Sequence, residues 1–148
     1  MISPARLPLY SALADHFDLL IVHGGTEAFG AWAADVVLNL VGPQSDPSWW
    51  YYDLAALQHM MTRTTTWSCI AASGDLASMA ARVVSMIPSS AEDLHVSIAV
   101  PDNLDLEISD VGDLMQSIAR SVRQDASIIC SSSWGKELRV TVLFSMNP

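Results

Sequence analysis

Hydrophobic residues along this chain follow two rhythms. Asp18-Leu-Leu-Ile-Val22 is a short apolar run closed by Gly24-Gly25, and it predicts a buried strand followed by a turn. Thr26 then offers an N-cap. Phe29, Trp32, Ala33, Val36, Val37 and Leu40 recur at helical spacing until Gly42-Pro43 stops them. After a loop rich in turn formers, Asp53 opens a second helix carrying Leu54, Leu57, Met60 and Met61. Trp67 to Ala72 predicts a strand closed by Ser73-Gly74. Asp75 caps a third helix with Leu76, Met79, Ala80, Val83, Val84 and Ile87 on one face, and Pro88 ends it.

Leu94, Val96, Ile98 and Val100 alternate with His95, Ser97 and Ala99, which predicts a strand with one buried face. Ser109 or Asp110 starts a fourth helix with Val111, Leu114, Met115, Ile118 and Val122 inward. Its acidic start (Asp110, Asp113) and basic end (Arg120, Arg123) suit the helix dipole. Ser127 to Ser131 and Leu138 to Ser145 predict two last strands, joined by a turn at Trp134-Gly135-Lys136. That short link predicts a hairpin, and the hairpin makes the sheet mixed. The expected fold is α/β (α+β): a mixed four-stranded sheet packed with helices, preceded by a strand and a central helix. It fills one domain over residues 1–148.

Composition narrows the function classes. Half of the 148 residues are hydrophobic (51%) and 16% are charged, so few charges remain to cover apolar surface. Net charge is −9, with seven Lys and Arg scattered along the chain. Nucleic-acid binding needs clustered cations to displace phosphate counterions, and is not expected. Apolar runs fall short of the roughly 20 residues that span a bilayer. Met1 to Tyr10 holds Pro4 and Pro8 and no apolar signal core, so a cytoplasmic protein is expected. Cys69 and Cys130 fit that compartment as reduced packing residues.

Several of these stretches, in this order, resemble the tubulin superfamily member FtsZ from its last GTPase-domain strand to the end of its C-terminal domain. Asp18-Leu-Leu-Ile-Val22 is similar to the family's aspartate-plus-apolar strand. Glu27-Ala-Phe29 and Ala34-Asp-Val-Val37 resemble its long central helix. Asp53-Leu-Ala-Ala-Leu-Gln-His-Met-Met61 resembles the loop and helix carrying its catalytic acids. Ala72-Ser-Gly-Asp75 is similar to the turn before the next helix. Asp125-Ala-Ser-Ile-Ile129 and Glu137-Leu-Arg-Val-Thr-Val142 match its closing strands. The resemblance runs over residues 13–146. It divides the chain into 13–42 (strand and central helix), 43–58 (a degenerate catalytic loop region) and 59–148 (C-terminal sheet and helices).

The resemblance implies chemistry that these residues depart from. FtsZ holds GTP on a front region that has no counterpart here. His23-Gly-Gly-Thr-Glu-Ala-Phe-Gly30 has two adjacent glycines but no basic residue, and reads as a plain strand-to-helix turn. In the family an asparagine and two aspartates position the attacking water in the pocket of the neighbouring subunit. The matching positions are Tyr51, Asp53 and Ala56. Only one acid remains, so general base catalysis by that pair is not expected. Asp53 then serves as a helix N-cap.

No enzyme, no cofactor and no metal site are expected. His16, His23, His59 and His95 lack metal-ligand spacing. Asp102, Asp105, Glu107 and Asp110 read as a solvated loop and helix start, and Ser131-Ser-Ser133 as a turn. The expected working surface is Trp49, Trp50, Tyr51, Tyr52, Asp53 and Ala56, because Trp and Tyr dominate interface hot spots. That surface implies a pseudo-GTPase partner of cell division, binding FtsZ or another tubulin-like protein. The alternatives are a self-assembling scaffold or homo-oligomer, a subunit of an unrelated secretion or envelope complex, and a small trimeric enzyme of the chorismate-mutase type. The last requires arginines such as Arg63, Arg82, Arg120, Arg123 and Arg139 to converge on a cleft between subunits.

Overall fold

Arg139–Ser145 is the strand around which the molecule is organised. Six of its seven residues, all but Arg139, are buried, so it needs cover on both faces and a neighbour on each edge. The computed structural model describes residues 20–22, 28, 30–34, 36–37, 54–63 and 66–145. Its elements are β1 (Leu20–Val22), α1 (Leu54–Arg63), β2 (Thr66–Ser73), α2 (Leu76–Met86), β3 (Asp93–Pro101), α3 (Ile108–Ser121), β4 (Ser127–Gly135) and β5 (Arg139–Ser145). Residues 30–34 and 36–37 are also helical. The strands form one mixed sheet in the order β1-β2-β5-β3-β4, so the strand preceding the expected four joins them at the β2 edge.

β5 pairs antiparallel with both β2 and β3, while β4 runs parallel to β3. The expected β4–β5 hairpin is therefore wrong. Trp134 and Gly135 belong to β4, and the short link 136–138 carries the chain past the end of β3 to its far side. Burial explains the choice. Serine-rich β4 is partly exposed and suits an outer position, whereas Val140 to Phe144 require the interior. Ser131 to Ser133 accordingly lie within a strand and not in a turn.

Gly135 makes the crossing possible. It pairs with Pro101, and a Cβ at Gly135 would stand 2.9 Å from Ala99 Cβ and 3.3 Å from the Glu137 carbonyl oxygen. Gly135→Ala is expected to cost about 1–3 kcal/mol by overpacking. The measurement is the denaturant midpoint at unchanged m-value. An unmoved midpoint would show that the crossing has slack.

One sheet face carries Leu94, Val96, Ile98, Val100, Val140, Val142 and Phe144, covered by α2 and α3 through Met79, Val83, Val111, Leu114 and Ile118. Both helices follow the expected spacing. Asp75 caps α2 by accepting the Ser78 N–H at 2.9 Å. α3 starts earlier than expected: Glu107 is its N-cap, and the Asp110 carboxylate accepts the Glu107 N–H at 3.1 Å. Arg123 lies beyond the helix end, paired with Glu92 at 2.6 Å and Asp125 at 2.9 Å.

The opposite face is buried too, which corrects the expectation for β3. His95 is wholly buried, and Ser97 is 5% exposed. A second apolar cluster covers the start of this face. Trp32, Val36, Leu57 and Met60 meet Trp67, Cys69 and Leu143 there, with Ile21 and Ile129 at its margin. Alternation of polar and apolar residues predicts solvent on one face only when nothing else packs against it.

Candidate functional site

The expected site falls on two kinds of ground. Trp49, Trp50, Tyr51, Tyr52 and Asp53 lie outside the described residues. Ala56 is on α1 and exposed. The helix is ten residues long, about 15 Å. Leu57 and Met60, each 3% exposed, turn into the second cluster, so Ala55, Ala56 and His59 face outward. The helix contains no Asp or Glu, and no acidic residue stands in its first turn.

Three contacts fix this surface to the sheet. Leu57 and Met60 pack on the Trp67 and Cys69 side of β2. The Trp32 indole Nε1 donates to the Cys69 carbonyl at 3.2 Å, tying the helical residues near 32 to the same strand. Trp67 pairs with Ile21 on one side and Ser145 on the other. The outward face of α1 is thus small, uncharged at Ala55 and Ala56, and held by a packed seam. Such a face can dock a partner but offers no carboxylate to activate water.

Among the described residues, polar groups elsewhere do not assemble a reactive centre. His95 Nε2 lies 2.9 Å from Ser131 Oγ on the sheet face opposite α2 and α3. Sequence reading missed this pair, because His95 alternates with apolar neighbours and looks solvent-facing, while Ser131 opens a serine run that reads as a turn. Both are wholly buried, so no substrate reaches the serine. Burial holds the His95 imidazole neutral, with its pKa lowered to about 4. Burial likewise pushes the Cys130 thiol up to about 11, so it stays protonated and unreactive. Cys69 is buried, and both cysteines are free thiols.

Two of the described arginines meet at Ser73, and a third is held elsewhere by carboxylates. Arg82 Nη1 reaches the Ser73 carbonyl at 3.5 Å, Arg139 Nη1 the Ser73 hydroxyl at 2.8 Å, and Arg123 its two carboxylates. Among the described residues, no three His, Cys, Asp or Glu side chains gather as metal ligands. No described helix is long and apolar enough to cross a membrane.

No protein-family model matches the chain, and no curated protein matches it. Solved structures do. An empty FtsZ dimer from M. jannaschii superposes with a TM-score of 0.70 at 16% identity, over 93% of this chain and 48% of that one. A point mutant of the same FtsZ gives 0.68 at 15% identity, over 93% and 49%. CetZ from Methanosaeta thermophila gives 0.55 at 13% identity, over 78% and 35%. The fold is that of the FtsZ and CetZ C-terminal region, and the chain spans about half the length of the FtsZ chains it matches.

Proposed function

We propose that this protein is a non-catalytic, FtsZ-like interaction module that binds FtsZ or another tubulin-like protein in the cytoplasm. Its docking surface is the segment 49–56 together with the outward face of α1. One observation carries the reading. On an FtsZ-type fold, the helix matching the one that bears the family's catalytic acids presents Ala55, Ala56 and His59 and no carboxylate. The exposed methyl of Ala56 stands where that resemblance puts an acid. A partner's nucleotide face would therefore meet a surface that fits against it without supplying the general base.

Such a module occupies the end of a filament without promoting hydrolysis there. Added to an FtsZ-like protein and GTP at equimolar ratio, it is expected to change the light-scattering plateau or pelleted fraction, and to lower GTP turnover per assembled subunit. Unchanged assembly and turnover at that ratio would count decisively against the reading. A fixed homo-oligomer whose contact buries α1 would favour the scaffold instead, and size-exclusion chromatography with light scattering detects it.

A further inference from the structure

Beyond the far end of β2 from the α1 seam lies a second surface. Gly74, Leu76, Pro101, Leu104, Leu106 and Leu138 bound an open groove of about 450 Å³, within the roughly 300–1,000 Å³ range of ligand sites. It gathers the turn after β2, the loop after β3 and the entry to β5. Leu104 is 37% exposed in it, and Ile108, next along the chain from this loop, is 75% exposed. Leu104 thus leaves apolar surface in water at the groove.

Charge limits what can cover it. Asp75, Asp105 and Asp110 line the groove, Asp102 and Glu107 flank it in sequence, and among the described residues no Lys, Arg or His lines it. Hydrogen bonds from Ser78 lower the Asp75 pKa, so that carboxylate stays ionised. Helices α2 and α3 both begin here, but Asp75 already caps the first, and Glu107 with Asp110 forms the capping box of the second. An anion would find carboxylates where it needs donors. A second copy of this chain would bring another net charge of −9. A bare metal ion finds no three converging ligands among the described residues, and an apolar floor.

We infer that this groove docks a short extended segment of a partner protein in which Lys or Arg alternates with aliphatic residues. The aliphatic side chains cover Leu104 and the half-buried Leu76, above the buried Leu106 and Leu138, and the cations meet Asp75, Asp105 and Asp110. This site is separate from the α1 face, so either can fail without the other.

The test uses the whole chain, labelled with nitrogen-15, and an acetylated, amidated Leu-Lys-Leu-Arg-Leu peptide. Amide shifts are expected at Gly74, Leu76, Asn103 to Leu106 and Leu138. They should weaken as salt rises. Reversing one rim charge with Asp105→Lys should raise the Kd roughly five- to thirtyfold, the scale of an exposed ion pair turned into a repulsion. Leu104→Ser should also weaken binding, and a Leu-Glu-Leu-Glu-Leu peptide should produce no shifts. Equal binding of the acidic peptide, shifts centred elsewhere, or no shifts at millimolar peptide would each overturn the inference. So would concentration-dependent self-association that Leu104→Ser abolishes, because the groove would then seat a second copy.

Discussion

Lowering the pH from 7 to 4 should cost this protein about 3 kcal/mol of folding stability through one side chain, His95. In the folded chain its pKa is lowered to about 4 from the ordinary 6.5, because burial penalises the imidazolium. Each pKa unit is worth about 1.4 kcal/mol. The sign follows from proton counting. Between pH 6.5 and pH 4 the unfolded chain holds a proton on His95 and the folded chain does not, so acid favours unfolding. The contribution is complete above pH 6.5, falls through that window, and changes no further below about pH 4.

Asp75 and Asp125 also have lowered pKa values, through hydrogen bonds from Ser78 and Arg123 respectively. Their stabilisation is present above the unfolded value of 3.8 and disappears below it, so it falls in a more acidic window. Urea denaturation at half-unit pH steps separates the two. His95→Gln can keep a donor near Ser131 and removes the titration. It should flatten most of the slope between pH 6.5 and 4 while leaving any change below pH 3.8 in place. A full slope in His95→Gln would assign the effect to another group.

His95 also marks where the sequence was hard to read. The spacing of Met79, Val83 and Ile87, and of Val111, Leu114 and Ile118, predicted α2 and α3 because one helix face does all the packing there. In β3 the same logic sent His95 and Ser97 to solvent. Both are buried, on the face whose start the second cluster covers, and alternation cannot reveal such cover. The position of β5 was equally hidden. A three-residue link favours a hairpin locally, and only the two-sided burial of Val140 to Phe144 decides for the middle of the sheet.

The two candidate surfaces differ in the same way. Ala56 was singled out through a resemblance, since a methyl stands where that pattern has its second acid. The groove was not. It draws Leu76, Leu106 and Leu138 from three separate segments, while Asp75 reads as a plain helix cap and Asp105 and Asp110 as a solvated loop and helix start. Long-range convergence of this kind leaves no local signature.

Trp67→Ala is the substitution expected to cost most, about 3–5 kcal/mol, the range for deleting a buried aromatic side chain. Trp67 has no exposed surface and lies in the cluster that holds α1, Ile21 and the helical residues near Trp32 against the sheet. Alanine would leave a cavity that flanking strands cannot close, since β2 is pinned between β1 and β5. The other cluster, around Ile98, Leu114 and Val142, does not include Trp67. The loss should therefore be uneven. Hydrogen exchange is expected to accelerate through α1 much more than through β3, β5 and α3. Trp67→Phe keeps a ring in the seam and should cost less. Uniform acceleration across both clusters would show that they unfold as one unit and sink this division. The same variant also distinguishes the two surfaces. Loosening α1 should abolish any effect on FtsZ-type assembly, whereas Leu104→Ser, which leaves the seam intact, should preserve it.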